Sequence, residues 1–407
     1  MNIFINEKEF ERKKCEFVER KGIGHPDTLA DALAEELSLR YSKYTLKNYG
    51  AILHHNFDKV GLLGGSSYVA FGKGYLLKPI RVLLNGRVSV KFSDNKIPIR
   101  KLLTYWTKIF FRERLPRIDV DEDLEFHFNL SNQSSPGKTY EKESKKGTRR
   151  YWFEPRGLYD LKDLTKPLSN DTSLGVGYAP YSDLEKLVIK IENNLNSQVF
   201  KQKNEWLGSD IKIMAFRNNN DYYITICIPQ IAYFVKNLNE YKNNLKKAKK
   251  EILRIANNYS IKNFELNINT RDEYDIKELY LTAIGSSIES GDEGLVGRGN
   301  RVNGVISPNK PMSMEGSCGK NPIYHIGKVY YIAANQIANN IYKKFRIENE
   351  VYLASQSGRY LLDPWIVVVN IPTNFTKKNY LKNIIISEIK KIPQITKGIL
   401  KRKFRLF

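Results

Sequence analysis

Residues 291–320 read GDEGLVGRGNRVNGVISPNKPMSMEGSCGK and combine closely spaced glycines with cationic side chains and few large apolar groups. Glycine lets backbone N–H groups approach a ligand closely, and Arg298, Arg301 and Lys320 can form charge-assisted hydrogen bonds to phosphate oxygens. This composition predicts a loop shaped around an anion, of which a polyphosphate is the natural example. The alternative interpretation is an ordinary surface loop.

A second unusual segment, GIGHPD at residues 22–27, precedes a stretch with apolar residues at helical spacing. The motif is therefore predicted to end at a helix N-terminus, where the helix dipole favours anions. His25 could donate a hydrogen bond to developing negative charge. Asp27 is a candidate Mg²⁺ ligand, because Mg²⁺ takes one or two carboxylates and completes its shell with substrate phosphates. In the alternative interpretation Asp27 caps the helix and His25 packs locally.

The length and composition predict a soluble globular protein of two or three lobes. The chain has 407 residues and no apolar run long enough to span a membrane, and its charged N-terminal segment does not resemble a secretory signal. The predicted location is the cytoplasm. Three widely spaced cysteines without a CxxC motif support neither a disulfide framework nor a zinc site. Cys318, inside the glycine-rich loop, is predicted to be a small filler rather than a nucleophile.

The formal net charge of +22 fits either a nucleic-acid partner or a small polyanionic substrate. No helix-turn-helix, zinc-finger or aromatic RNA-binding pattern accompanies the charge, so nucleic acid is disfavoured as a partner. Lysine on solvent-facing helices accounts for much of the excess.

Predicted strands and helices alternate along the chain without a low-complexity linker, which indicates an α+β fold. The stretch NDTSLGVGYAPYSDLEKLV reads as a loop that leads into a helix, with Ser182 and Glu185 as a capping box. Residues 131–150 form a polar stretch that is predicted to be a mobile excursion. Asp58 and Lys59 are predicted to be a structural ion pair.

The chain carries, in order, GHPDTLADALAEEL, HHNFDKVGLLGG, NDTSLGVGYAP, GDEGLVGRGNRVNG, PMSMEGSCGKNP and HIGK. This series resembles the archaeal-type branch of S-adenosylmethionine synthetase, also called methionine adenosyltransferase. The resemblance implies that methionine sulfur attacks C5′ of ATP and expels triphosphate, which is then hydrolysed to pyrophosphate and phosphate. Alignment of the reactants and stabilisation of the leaving group would supply the catalysis.

The resemblance also assigns roles to individual residues. It implies that His25 contacts the leaving triphosphate near the bridging oxygen and that Asp27 binds Mg²⁺. Residues that resemble the family's phosphate-binding cations are Lys212, Arg298, Arg301 and Lys320, of which Arg298 and Lys320 join His25 as the predicted catalytic residues. Residues that resemble those of the substrate pocket are Gln133, Asp171 and Asp292.

The chain departs from the family pattern around Gln133, where Asn132 and Ser134 replace glycines. Added side chains there would change a surface that approaches the substrates, so a sulfonium synthase that uses another nucleoside triphosphate or a methionine analogue stays an alternative. A non-catalytic RNA-binding protein is a second alternative. Around Tyr324 and His325 the family's next lysine and aspartate cannot be placed, so a second Mg²⁺ ligand is unassigned.

The resemblance further implies three similar lobes around a pseudo-threefold, in an α+β fold of sheets packed with helices. We place the lobes at residues 1–165, 166–285 and 286–407, with approximate boundaries and room for interleaved segments. The expected assembly is a homodimer with active sites at the subunit interface. Mg²⁺ is the expected cofactor and K⁺ a further candidate.

Overall fold

The computed structural model describes residues 1–11, 13–133 and 151–407. The helices are α1 Pro26–Tyr49, α2 Ile99–Arg114, α3 Asp183–Leu195, α4 Gln198–Gln202, α5 Leu238–Ala256, α6 Ile326–Phe345, α7 Lys378–Lys390 and α8 Ile392–Leu400. The strands are β1 Asn2–Lys8, β2 Cys15–Lys21, β3 His55–Asn56, β4 Gly61–Leu63, β5 Ser66–Ala70, β6 Lys73–Lys78, β7 Ile80–Val88, β8 Lys91–Phe92, β9 Asn95–Lys96, β10 Leu124–Ser131, β11 Leu174–Ala179, β12 Lys212–Asn218, β13 Asp221–Cys227, β14 Gln230–Ile231, β15 Asn263–Ile268, β16 Leu281–Thr282, β17 Gly294–Leu295, β18 Asn349–Ala354 and β19 Ile366–Pro372.

Three sheets repeat one pattern of strand order and direction. Sheet one has the order β10-β7-β4-β17, sheet two β15-β13-β12-β2 and sheet three β1-β19-β18-β11, and β3 also pairs with β7 in sheet one. In each sheet the first pair of this order is parallel and the next two pairs are antiparallel. The repetition identifies three similar α+β units, although no repeat is visible in the amino-acid letters.

The three units interleave along the chain. Sheet one takes β17 from the glycine-rich loop, sheet two takes β2 from the N-terminal region, and sheet three takes both β1 and β11 from regions far before β18. The ranges 1–165, 166–285 and 286–407 stay a prediction, because each sheet draws strands from more than one of them. Strand β2, which precedes GIGHPD, is thereby paired with β12, and strand β17 of the glycine-rich loop is paired with β4.

Each sheet packs one face against helices to form an apolar core. The first core contains α1 and α2, the second α3 and α5, and the third α6, α7 and α8. Helix α1 confirms the helix predicted after GIGHPD. Leu29, Leu33 and Leu37 are fully buried on it. Within the described residues, none of the helices has the length and hydropathy that a membrane span requires.

The segment before α3 differs from the prediction in one respect. The capping box of Ser182 and Glu185 is present at the start of α3, which confirms that junction. The preceding LGVGYA was predicted to be loop, but it forms strand β11 and pairs with β18. The pattern concealed the strand because two of its alternate positions are glycines, Gly175 and Gly177, which have no side chain to contribute to an apolar face. The predicted excursion at 131–150 lies mostly outside the described residues.

The two glycines of β11 allow helix α6 to approach the strand closely. A Cβ atom at Gly177 would lie 2.4 Å from the backbone carbon of Ala334, and one at Gly175 would lie 2.3 Å from that of Tyr330. We expect Gly177→Ala to lower the free energy of unfolding by about 3 kcal/mol or more, because backbone atoms of a packed helix must move. Chemical denaturation measures this loss.

Gly72→Ala is the matched control for Gly177→Ala. Gly72 has a φ of 77°, and a Cβ there would meet no atom within 4 Å. Its replacement should cost only the strain of a left-handed backbone, about 1 kcal/mol. Equal losses in the two variants would contradict the proposed close approach of α6 to β11.

Candidate active site

His25 is the N-cap residue of α1 and has an extended backbone, with φ −64° and ψ 137°. Its Nδ1 accepts a hydrogen bond of 3.2 Å from the backbone N–H of Asp27. Burial lowers the pKa of His25, and the nearby charges of Asp210 and Asp27 oppose that shift. With Nδ1 acting as an acceptor, the proton of the neutral imidazole resides on Nε2. His25 is therefore a neutral hydrogen-bond donor at a helix N-terminus.

Asp27 fastens the glycine-rich loop to the first turn of α1. Its Oδ1 accepts the backbone N–H of Leu295 at 3.0 Å, and its Oδ2 lies 2.8 Å from Nζ of Lys21. The same ammonium donates to the carbonyl oxygen of Arg298 at 2.7 Å. Asp27 is buried, so the predicted metal ligand is also a structural connection between GIGHPD and the loop.

Arg298 lies on a turn whose backbone is hydrogen-bonded to Asp31. The two carboxylate oxygens of Asp31 accept the backbone N–H groups of Gly297 at 2.8 Å and of Gly299 at 3.1 Å, one on each side of Arg298. Arg301 is buried and donates to the carbonyl oxygens of the same two glycines, at 2.5 and 2.7 Å. The Arg298 side chain is exposed. The structure thus gives different positions to two arginines that were both predicted to bind phosphate: Arg301 supports the turn and Arg298 is exposed to solvent.

Two further predicted residues lie near His25. Asp292 is exposed, and its Oδ2 lies 3.0 Å from Oγ of Ser287. That hydroxyl lies 2.5 Å from Oδ2 of Asp210, a fully buried carboxylate whose charge acts on His25. Lys212 begins β12, and its charge also acts on His25. We define the His25 group as His25, Asp27, Lys212, Asp292 and Arg298.

A second group of charged residues surrounds Lys320. The Lys320 ammonium is buried in an ion pair with Glu315, and a second carboxylate, Asp58, lies 3.9 Å away. Gly327, in the first turn of α6, leaves room for this pair, since a Cβ there would lie 2.6 Å from Nζ of Lys320. The charge of Asp171 also acts on Lys320. We define the Lys320 group as Asp58, Asp171, Glu315 and Lys320.

The two groups lie at different levels of α1. The carbonyl oxygen of Lys320 accepts a hydrogen bond of 3.0 Å from Oγ of Ser38. Ser38 is about 16 Å from Asp27 along the helix axis at 1.5 Å per residue. The predicted residues therefore meet α1 in two groups, which the loop connects: a Cβ at Gly316, next to Glu315, would lie 3.1 Å from Cα of Gly297, next to Arg298.

Among the described residues, Gln133 forms no hydrogen bond or ion pair with either group. It is exposed just beyond the end of β10, and its backbone N–H donates to Oγ of Ser131 at 3.2 Å. Ser134, which also flanks Gln133, lies outside the described residues. The assignment of Gln133 to the methionine site stays a prediction.

Comparison with known proteins matches the whole chain to one family. The model of the S-adenosylmethionine synthetase (AdoMet synthetase) family matches residues 2–403. The chain belongs to the S-adenosylmethionine synthetase family. A probable S-adenosylmethionine synthase of Aquifex aeolicus is 36% identical over 99% of both chains. An S-adenosylmethionine synthase of Hyperthermus butylicus is 37% identical over 98% of this chain and 96% of the relative.

A solved structure shares the fold. The chain resembles an unusual S-adenosylmethionine synthetase from Campylobacter jejuni with a TM-score of 0.59 at 13% sequence identity, over 94% of this chain and 90% of that chain. The predicted family, the α+β class and the S-adenosylmethionine synthetase fold are confirmed. Family membership also confirms the prediction that the chain is a methionine adenosyltransferase.

Several residues of these family motifs were missed or undervalued in the sequence analysis. Asp58 forms the predicted ion pair with Lys59, at 2.9 Å, but it also faces Lys320. Asp210 lies two residues before Lys212, and its closeness in sequence to a predicted phosphate-binding residue was a signal that it belongs to the site. His325 is the N-cap of α6, is buried, and has an Nδ1 without a partner among the described residues. Burial raises the pKa of the Cys318 thiol well above its usual value, in keeping with a filler rather than a nucleophile.

Asp31 is a positioning residue for Arg298, and a double-mutant cycle tests this role. Asp31→Asn retains one acceptor and directs an amide N–H at the other glycine N–H, so the turn should shift. We expect kcat to fall about 100-fold, the effect of a displacement of roughly 1 Å in a catalytic group. In an Arg298→Ala background the same change should lower kcat less than about threefold, because Asp31 acts on kcat through the position of Arg298.

The melting temperature separates positioning from stability in this cycle. Asp31→Asn should lower it by the same amount in both backgrounds, because the lost hydrogen bonds do not involve the Arg298 side chain. Full additivity of the kcat losses would show that Asp31 acts independently of Arg298.

Proposed function

We propose that this chain forms S-adenosylmethionine from ATP and L-methionine, with release of pyrophosphate and phosphate. The observation that carries the proposal is the turn at GIGHPD, which presents a neutral His25 donor near the exposed Arg298 and the half-buried Lys212. The chain that carries this turn matches the S-adenosylmethionine synthetase family over nearly its full length. This arrangement suits a reaction whose leaving group is a polyanion.

The reaction needs no nucleophile from the protein. Methionine sulfur attacks C5′ in line with the departing oxygen, and the triphosphate gains negative charge as the C–O bond breaks. His25 would donate its Nε2 proton in a hydrogen bond to that oxygen, while Arg298 and Lys212 neutralise the phosphates. Preorganised donors of this kind lower a barrier because they need no reorientation during the reaction.

The chemistry of Asp27 fits a role in holding Mg²⁺. A carboxylate has about four lone-pair sites, and Asp27 uses one on each oxygen for Lys21 and Leu295. It retains acceptor capacity for an ion whose other ligands are water and phosphate oxygens. In the described ranges, no three histidine, cysteine, aspartate or glutamate side chains form a metal-holding group without substrate. When bound, Mg²⁺ would neutralise the triphosphate; K⁺ stays a further candidate.

The functional assembly that we propose is a homodimer, in which each site combines the His25 group of one copy with the Lys320 group of the other. In one chain the main chain of Lys320 meets α1 at Ser38, about three turns after Asp27. The outer face of sheet two also exposes Phe17, Met214 and Tyr223 beside Lys212. An apolar sheet face of this kind is suited to a second copy of the chain. A cytoplasmic location stays part of the proposal.

Product analysis tests the reaction and its specificity. The protein is incubated with methionine and, separately, with each of the four nucleoside triphosphates, and the sulfonium product is identified by mass spectrometry. We expect S-adenosylmethionine from ATP. A sulfonium formed only with another triphosphate would favour the specificity alternative that the side chains around Gln133 suggest, and no triphosphate cleavage together with RNA retention would favour the RNA-binding alternative.

The neutral state of His25 predicts a pH profile. Because the pKa of His25 is lowered from its ordinary value of 6.5, half-protonation of the imidazole should occur only below pH 6.5. Protonation removes the Nδ1 acceptor, so kcat/KM should fall on the acidic side with a midpoint below pH 6.5. His25→Ala should lower kcat by about 100-fold to 1,000-fold and abolish the contribution of His25 to that acidic limb. An acidic limb centred above pH 6.5 in the native protein would contradict the assigned state.

Complementation tests the shared site. His25→Ala and Lys320→Ala are co-expressed with different affinity tags, and the doubly tagged heterodimer is purified. If the groups come from different copies, one site of the heterodimer is intact and the other carries both changes, so about half of the native turnover should return. If both groups of one chain served the same site, each site would carry one change and turnover would stay at the level of the single variants.

A further inference from the structure

A cleft lies where the three units of the fold meet, away from both candidate groups. It has a volume of about 310 Å³. Its walls come from α1, the C-terminal end of α2, α3 and the C-terminal segment at residues 401–407. The charged residues that line it are Glu35, Glu36, Glu192, Arg114, Arg402 and Arg405.

The carboxylates of the cleft are already engaged by cations. Glu36 binds Arg402 through both oxygens, at 2.5 and 2.6 Å, and also accepts from Nε of Arg40 at 2.5 Å. Glu192 accepts from Arg20 at 2.5 and 2.9 Å. Glu35 lies 2.6 Å from Nζ of the buried Lys328. These carboxylates therefore have little capacity to neutralise additional cations.

Two guanidinium groups of the cleft lack such partners. Within the described residues, Arg114 has no carboxylate within salt-bridge distance, and the nearest carboxylate oxygen to Arg405 is that of Glu192 at 4.0 Å. Arg405 also donates to Oδ1 of Asn193 at 3.1 Å. Burial lowers the pKa of both arginines, that of Arg405 to about 10, while the charges of Glu36 and Glu113 near Arg114 and of Glu192 near Arg405 oppose these shifts. Guanidinium N–H groups that no close carboxylate occupies can bind an anion.

An ion can reach these groups from solvent. The Arg402 and Arg405 side chains are 54% and 42% exposed, so the cleft is open at the C-terminal segment. Its volume is at the lower end of the range for small-molecule pockets. The size and the paired guanidinium groups favour a compact oxyanion that accepts several hydrogen bonds.

The walls of the cleft connect directly to both candidate catalytic segments. Oε1 of Glu192 lies 3.3 Å from the backbone nitrogen of Ile23 in GIGHPD, two residues before His25. Oε2 of Glu35 accepts the N–H of Gly319, the residue before Lys320, at 3.1 Å. A change in the charge balance around Glu192 or Glu35 would therefore act on the backbone that positions each group.

We propose that this cleft is a binding site for a small oxyanion of the phosphate class, held by Arg114 and Arg405, and that its occupancy modulates turnover through Glu192 and Glu35. The binding part stands on the cleft alone. The modulation part rests on the proposed function, which releases phosphate and pyrophosphate and so supplies ligands of this class.

Equilibrium dialysis with labelled inorganic phosphate, in the absence of ATP and methionine, tests the binding part. Arg114→Gln/Arg405→Gln should lose one bound phosphate per chain, or weaken it about tenfold or more. Arg254→Gln/Arg271→Gln is the charge-matched control, because it removes the same charge from two arginines that do not line the cleft. His25→Ala/Lys320→Ala should retain the cleft site.

Thermal unfolding gives a second measurement of binding. Because neither Arg114 nor Arg405 pairs closely with a carboxylate, their replacement should not lower the melting temperature without phosphate. Added phosphate should raise the melting temperature of the native protein and the control, and should have a smaller effect on the Arg114→Gln/Arg405→Gln protein. Unchanged binding in this variant, or an equal loss in the control, would overturn the site.

Steady-state kinetics with added phosphate tests the modulation. We expect kcat of the native protein to change at least about twofold at saturating ATP and methionine, and we expect this change to vanish in the Arg114→Gln/Arg405→Gln variant. The same response in both proteins would overturn the coupling while leaving the binding result in place. A protein without adenosyltransferase activity would refute the proposed function, and the dialysis result would still decide whether the cleft binds phosphate.

Discussion

A row of carboxylates on α1 fixes the glycine-rich loop, and the rest of the site depends on this interaction. Asp27, Asp31 and Glu35 follow one another at intervals of four residues, so they lie on the same face of the helix. They accept backbone N–H groups of Leu295, Gly297, Gly299 and Gly319, which are spread over the whole loop. One helix thus sets the position of the loop at successive turns.

The cost of burying these acids is offset by the cations and amides that surround them. Lys21 neutralises Asp27, and Lys328 neutralises Glu35. Asp31 is the least compensated: burial raises its pKa to about 7, against the opposing effects of the two glycine N–H groups and the Arg301 charge. A buried carboxylate that has lost its backbone partners would be strongly destabilising. Because of this penalty, any loop conformation that removes these hydrogen bonds would destabilise the protein. The penalty therefore explains how a segment rich in glycine is held in one conformation.

The same arrangement gives the two arginines different roles and places the two ends of the loop at different turns of α1. Arg301 uses its donors on loop carbonyls and leaves Arg298 exposed, so a buried cation supports an exposed one. The loop begins beside His25 and ends at Lys320, and α1 keeps these ends apart. The C-terminal segment contacts both α1, where Arg402 binds Glu36, and the glycine-rich loop, where Sγ of Cys318 lies 3.7 Å from the carbonyl oxygen of Leu406.

The sequence by itself determined the class of fold, the helix after GIGHPD, the capping box at Ser182 and the family, because these depend on local spacing and on short motifs with specific letters. It also identified the residues of the loop. Only the tertiary structure decided that Arg301 supports the turn while Arg298 is exposed, that LGVGYA is a strand, and that the main chain of Lys320 contacts α1 at Ser38. The physical reason is that these outcomes depend on partners far away in the sequence, as in the pairing of β11 with β18 and the contacts of Asp31 with Gly297 and of Glu35 with Gly319. The sequence shows the acidic row on α1 as charged residues among leucines and alanines. It does not show the partners of these acids, because nearly every residue has a backbone N–H group.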